Sequence, residues 1–345
     1  AMPKYLLLFG DGSYDYKDLT SGNTNLVPSY QSPNSIDPVN TFTTDDYFGC
    51  LDANEGGSML DPNDVMDVAI GRIPANTREQ AIAVINKIKN YESTNSYGSW
   101  RNMLTFIGDD EDINTHLKQS NDLANTVGAA NPAYNIDKII FDAFPQQSTS
   151  GGDRYPDVQK AINDRMFSGT LVLSYAGHGG INGWGHERVL TLNDINSWEN
   201  LDKLALFVTA TCEFSKFDNI GKLTAGEEVL FNPNGGGIGL VTTVRVVFSN
   251  ANFDLSSAFY NELFEPYNAD RMPTIGEVLQ VTKNNVLLTV NRSNTRKFML
   301  LGDPAVTLNY PFHDVVTTGI NEQPYAAAND TISALEKVKL SGEVR

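Results

Sequence analysis

Two side chains stand at the ends of apolar runs where a nucleophile and a base would be useful. Leu171-Val172-Leu173-Ser174-Tyr175 runs into Ala176-Gly177-His178-Gly179-Gly180, and Leu204-Ala205-Leu206-Phe207-Val208-Thr209-Ala210 runs into Thr211-Cys212-Glu213. Each run reads as a buried strand that delivers its last residues to a loop at the carboxyl end. If the two strands are parallel neighbours, the imidazole and the thiol arrive at one edge of a sheet. A free thiol is mostly protonated near neutral pH, and a neighbouring imidazole stabilises the thiolate and later protonates a leaving amine. Cys212 then attacks a carbonyl, with His178 as its acid-base partner. Glycine on both sides of His178 lets backbone approach a ligand closely. The N–H groups of Gly179 and Cys212 are candidates to hold the oxyanion, each such donor being worth about 3 kcal/mol. Taken singly, a strand-end cysteine is commonly a small buried hydrophobe and a glycine-flanked histidine a turn residue. Paired, they point to acyl transfer through a thiol.

A third member that orients the histidine is expected from the acidic run Asp109, Asp110, Glu111 and Asp112, which leaves the strand Met103–Gly108 at its carboxyl end. Asp110 or Glu111 is favoured, against the alternatives of a solvated acidic loop or a cation site. Trp184 and His186 follow the histidine turn and, with Glu213, are candidates to line a substrate cleft; for the catalytic role His116 and His186 are weaker candidates than His178, His313 lies in the tail, and Cys50 reads as structural. With four His and two Cys in the chain and no CxxC or HExxH spacing, catalytic zinc is not expected. The chemistry requires no cofactor. Asp11, Asp15 and Asp45 offer hard oxygens on loops, suited to a structural calcium ion, though their spacing fits no EF-hand.

Positioning these residues calls for a strand-helix alternation, and the sequence supplies one. Apolar runs near residues 4–9, 65–74, 103–108, 138–141, 169–175, 204–210 and 237–243 alternate with helical patterns near 77–91, 117–127 and 157–167. Thr77 is the expected N-cap of the first helix, whose apolar stripe is Ala81, Val84, Ile85 and Ile88. Such alternation predicts an α/β fold with a mostly parallel sheet covered on both faces, with sites beyond carboxyl strand ends. Residues 13–63, rich in Ser, Asn, Asp, Gly and Pro, read as a long irregular excursion. The expected division is 1–98 as an N-terminal subdomain, 99–312 as the catalytic subdomain, and 313–345 as a linker into a following β domain. The strand pattern Val338–Val344 has no evident closing partner, so the chain reads as a piece of a longer protein. A formal charge of -17, from 42 acidic against 25 basic residues, disfavours nucleic-acid partners. No stretch approaches the roughly 20 apolar residues of a membrane-spanning helix.

The run Tyr175-Ala176-Gly177-His178-Gly179-Gly180, followed by Val208-Thr209-Ala210-Thr211-Cys212-Glu213-Phe214, resembles the gingipain family of cysteine peptidases, as do Leu7–Asp11, Asp46–Phe48, Ile70–Arg72 and Leu301–Pro304. The resemblance extends to about Pro311 and implies a caspase-like fold in which His178 and Cys212 take the dyad positions. The family's acid for basic-residue specificity has no secure counterpart, so arginine or lysine specificity does not carry over. Within the family, Leu8–Asp15, Tyr30–Ser35, Asp45–Gly49 and Ala210–Asp218 resemble the PorU group, the signal peptidases of type IX secretion in Bacteroidetes. That likeness implies an exported enzyme at the outer-membrane surface of a Gram-negative bacterium. It would remove C-terminal sorting domains from cargo, attach cargo to anionic lipopolysaccharide in the manner of a sortase, and work beside other type IX secretion components. The alternatives are a secreted general protease and a catalytically silent binding scaffold.

Overall fold

The apolar runs become one eight-stranded sheet: β1 (Tyr5–Phe9), β2 (Ala69–Ile73), β3 (Met103–Gly108), β4 (Asn135–Ile140), β5 (Val172–Ala176), β6 (Ala205–Ala210), β7 (Gly237–Thr243) and β8 (Phe298–Leu301). The computed structural model describes residues 3–35, 37–268, 271–311, 315–324 and 333–344; His313 lies outside them. Spatial order is β1-β2-β8-β7-β6-β5-β3-β4, and every pair is parallel except β7 with β8. β1, β2 and β8 therefore run opposite to the other five strands. The carboxyl ends of β1 and β2, which lead to Asp11 and Ala75, face away from the edge reached by β5 and β6.

β6 and β7 are buried at every position, as expected of strands covered on both faces. One cover is formed by α1 (Arg78–Tyr91), α3 (Pro156–Ser168), α4 (Leu192–Ser197) and α5 (Ala225–Phe231), whose Val84, Ile162, Ile195 and Val229 join Leu173, Phe207 and Leu240 in the main core. The other holds α2 (Glu111–Ala130), α6 (Ser249–Leu263) and α7 (Ile275–Val286), which pack in that order. In α1, Thr77 and Gln80 form the reciprocal cap that satisfies two orphan N–H groups. Its buried face differs from the expected stripe: Ile85 is exposed, while Lys87 and Tyr91 are inside. Lys87 Nζ donates to the carbonyls of Val229 and Leu230 at the end of α5, which makes an interior lysine tolerable.

The long excursion is largely irregular, as expected, and is pinned by buried charge. Arg72 donates to both oxygens of Asp45 at 2.6 and 2.7 Å, and Arg296 donates to Asp46 at 2.9 Å. The expected boundary at residue 98 does not separate compact units, because β8 bridges β2 and β7 and carries the sheet across it. By compactness the chain divides into Ala1–Asn309 and Tyr310–Arg345. In the second unit, Leu340–Val344 pairs antiparallel with Val315–Ile320, so the terminal strand does have a partner. No helix among the described residues is long and apolar enough to cross a membrane.

Candidate active site

β5 and β6 are parallel neighbours, and Ala176 stands beside Ala210 in their ladder. Their continuations bring His178 and Cys212 to the same sheet edge. A fully buried carboxylate organises that edge: Asp109 Oδ2 accepts the His178 backbone N–H at 2.8 Å, while Oδ1 accepts the Glu111 N–H at 2.9 Å. The Tyr175 hydroxyl donates to the His178 carbonyl at 2.6 Å. Gly177 is required here, since a Cβ would lie 2.4 Å from Asp109 Cβ and 2.5 Å from the Tyr175 hydroxyl.

Two carboxylates reach the ring of His178. Its Nε2 lies 3.2 Å from Asp112 Oδ2 and 3.5 Å from Glu111 Oε2. Asp110, favoured from sequence, is not one of them: its Oδ2 accepts the Tyr155 hydroxyl at 2.6 Å, which holds it away from the imidazole. Asp112 is delivered by three consecutive left-handed residues, Asp112, Ile113 and Asn114, with φ of 53°, 59° and 62°. That conformation costs about 1–2 kcal/mol per non-glycine residue. It lets Asp112 meet both His178 and His116, whose Nε2 is 3.4 Å away. His116 is buried and sits edge-on to His178 at 5.2 Å; the His186 ring stacks on that of His178 at 4.9 Å, with its Nδ1 2.8 Å from Glu111 Oε2.

The Cys212 Sγ contacts the Val247 carbonyl at 3.9 Å, and among the described residues no hydrogen bond joins it to the imidazole. Burial pushes this thiol above its ordinary range, while the charge of Lys297 pulls it back. Lys297 was not foreseen. Its ammonium is buried and held by the carbonyls of Val39 and Val246 at 2.6 and 2.7 Å, the second adjoining the residue that contacts Sγ. Cys50, by contrast, is pushed up to about 12 by burial, an inert thiol.

The Gly185 N–H bonds the His178 carbonyl at 2.8 Å, and Gly179 faces Trp184 across that hairpin. Alternation in an antiparallel ladder makes the Gly179–Trp184 pair the one without mutual hydrogen bonds, so the Gly179 N–H points away from it. It is available to an oxyanion. Beside it lies an open cleft of about 710 Å³ lined by residues 179–186, 188, 190–193 and Glu213, a size suited to a short peptide segment. Trp184 forms its floor, fully buried and stacked on Tyr175 at 4.3 Å; His186 stands exposed on the wall. Glu213 adopts φ 50° and pairs with Lys216 at 2.6 Å.

Asp11, Asp15 and Asp45 are not gathered into one ligand set. Asp45 is taken by Arg72, Asp11 accepts from Thr24 and the Gly12 N–H, and Asp15 accepts the Thr20 N–H. Among the described residues, the groups close enough to hold one ion are Glu111, His178 and His186, and Asp112, His116 and His178.

With this geometry in place, the family follows from the sequence as a whole. The model of peptidase family C25 matches residues 1–309. The chain belongs to peptidase family C25. Its fold is that of the gingipain-type cysteine peptidases, with the caspase-like, mostly parallel sheet between helices. It matches the crystal structure of the Arg-specific cysteine proteinase gingipain R at TM-score 0.67 and 18% identity, over 91% of this chain and 67% of that one. The complex of Porphyromonas gingivalis RgpB pro- and mature domains gives 0.69 and 17%, over 91% and 68%. Dimeric latent PorU from Porphyromonas gingivalis is 26% identical over 99% of this chain but 27% of its own, with TM-score 0.43. No curated protein matches significantly.

Proposed function

We propose that this C25 chain is the peptidase domain of a sortase-type cysteine endopeptidase in which Cys212 is the nucleophile and His178 the acid-base partner. The observation that carries the pairing is the adjacency of β5 and β6, which presents both residues at one edge beside the cleft. Because Nε2 faces Asp112 and Glu111, Nδ1 is the ring atom left to exchange a proton with sulfur. The thiol turns from the Val247 carbonyl toward Nδ1, and the thiolate adds to the substrate carbonyl. The Gly179 and Cys212 N–H groups receive the oxyanion, and imidazolium protonates the departing amine. The resulting thioester is resolved by water or by an acceptor amine, so transfer needs no cofactor and no residue beyond those of hydrolysis.

The substrate class rests on the likeness of Leu8–Asp15, Asp45–Gly49 and Ala210–Asp218 to the PorU group. Cargo bearing a C-terminal sorting domain is cleaved, and the acyl group passes to anionic lipopolysaccharide, at the outer surface and alongside other type IX secretion components. Purified protein incubated with a type IX cargo protein and, separately, with casein tests this by mass spectrometry of the released peptides. Release of the sorting domain at one site supports the reading; cleavage of casein alone contradicts it and leaves a general protease.

A further inference from the structure

We infer that the cluster around His178 is a binding site for one transition-metal dication of the zinc class, held by His178 Nε2, Glu111 Oε2 and His186 Nδ1, and that an ion there silences the enzyme reversibly. The chain has four histidines, and three of them meet at this point: His116 and His186 lie 5.2 and 4.9 Å from His178, ring centre to ring centre. So dense a gathering of a scarce residue exceeds what orienting one imidazole requires.

The spacing suits an ion. Tetrahedral zinc with bonds of about 2.0–2.1 Å sets its donors about 3.3–3.4 Å apart. Glu111 Oε2 lies 3.5 Å from His178 Nε2 and 2.8 Å from His186 Nδ1, and Asp112 Oδ2 lies 3.2 Å from His178 Nε2. All three proposed ligand atoms fall within 4.8 Å of one another. Two imidazoles with a carboxylate select zinc-like ions over calcium or magnesium, which take oxygen donors. The site is loadable from solvent, the His186 side chain being 70% exposed. The second cluster, Asp112, His116 and His178, shares Nε2, so a single ion uses one set or the other; the solvent-facing set is assigned because both of its other donors are open.

The consequence for catalysis rests on the reading of His178 as acid-base partner. A neutral imidazole that binds metal through Nε2 carries its one proton on Nδ1. That atom then presents N–H where the thiol needs a lone pair, and proton transfer from Cys212 stops. Removing the ion restores Nδ1 without any covalent change.

Binding is measured apart from activity, with Co²⁺ as the probe on a Cys212→Ser protein, so that a thiolate at the site cannot ligate. The expected result is saturable visible d–d absorption at one equivalent, displaced by Zn²⁺. In Cys212→Ser/His186→Ala, with circular dichroism unchanged, affinity falls by more than about 100-fold, because loss of even an outer-shell partner costs about 10–100-fold. Absence of saturable absorption, or a His186→Ala titration like its parent's, overturns the site. On protein with Cys212 intact, Zn²⁺ inhibition of peptide cleavage is reversed by chelator, and His186→Ala is at least about 10-fold less sensitive; equal sensitivity overturns the silencing. A Cys212-intact protein with no peptidase activity refutes the catalytic reading while leaving the cobalt titration decisive.

Discussion

Replacing Asp112 by Asn removes the charge nearest the His178 ring while keeping its shape. At the observed 3.2 Å, and with an effective dielectric of about 40–80 for a carboxylate that is 60% exposed, the lost attraction to imidazolium is about 1.3–2.6 kcal/mol. That corresponds to a fall in kcat of about 9- to 80-fold. The same arithmetic for Glu111→Gln at 3.5 Å gives about 1.2–2.4 kcal/mol. Both act on one ring nitrogen, so the double variant loses less than the product of the single effects. Asp110→Asn, whose partner is the Tyr155 hydroxyl, changes kcat by less than about 3-fold. The assay is single-turnover cleavage of a peptide from a cargo junction, with KM followed in parallel. If Asp112→Asn stays within 3-fold of the parent, or Asp110→Asn costs as much, the assignment of the orienting carboxylate is wrong.

Lys297→Met removes the cation that opposes burial of the Cys212 thiol, so the pH midpoint for alkylation of Cys212 by iodoacetamide rises; an unchanged or lower midpoint refutes the electrostatic role. Gly177→Ala forces Asp109 and Tyr175 apart, so kcat falls by more than about 10-fold with the fold retained; full activity would show that the contact relaxes without moving His178. Lys87 is depressed by burial from 10.5 to about 7. Its folded value lies below its unfolded one, so the unfolded chain binds the extra proton between them, and stability rises with pH across that window by up to about 1.4 kcal/mol per unit. Denaturant midpoints at pH 7, 8 and 9 should therefore climb relative to Lys87→Met; parallel curves contradict the depression of this amine by burial.

The arrival of His178 and Cys212 at one sheet edge was legible because each follows a run of β-rich apolar residues, a pattern that reports the strand end directly. The family resemblance extended the same signal to the fold. What stayed hidden depends on backbone conformation and on distant pairing. Nothing in Asp109–Asp112 announces that a left-handed turn at 112–114 would turn Asp112 toward His178 while Tyr155 captures Asp110. The i,i+4 spacing of Asp112 and His116 was the one available hint, and it reads equally as a surface pair. Lys297 acts on the charge of the Cys212 thiol from a position 85 residues further along the chain, where the Val39 and Val246 carbonyls hold its ammonium. β8 is four residues long, too short for periodicity to reveal, yet its antiparallel pairing with β7 reverses β1 and β2 and parts Asp11 from the edge of Cys212.

The most direct test of the account is intact-mass measurement of the protein after exposure to a peptidyl acyloxymethyl ketone at neutral pH. One adduct, mapped to Cys212, is expected in the parent, with none in Cys212→Ala and labelling at least about 100-fold slower in His178→Ala. Labelling of His178→Ala at the parental rate, or an adduct on Cys50 instead, would contradict the pairing of thiol and imidazole at this edge.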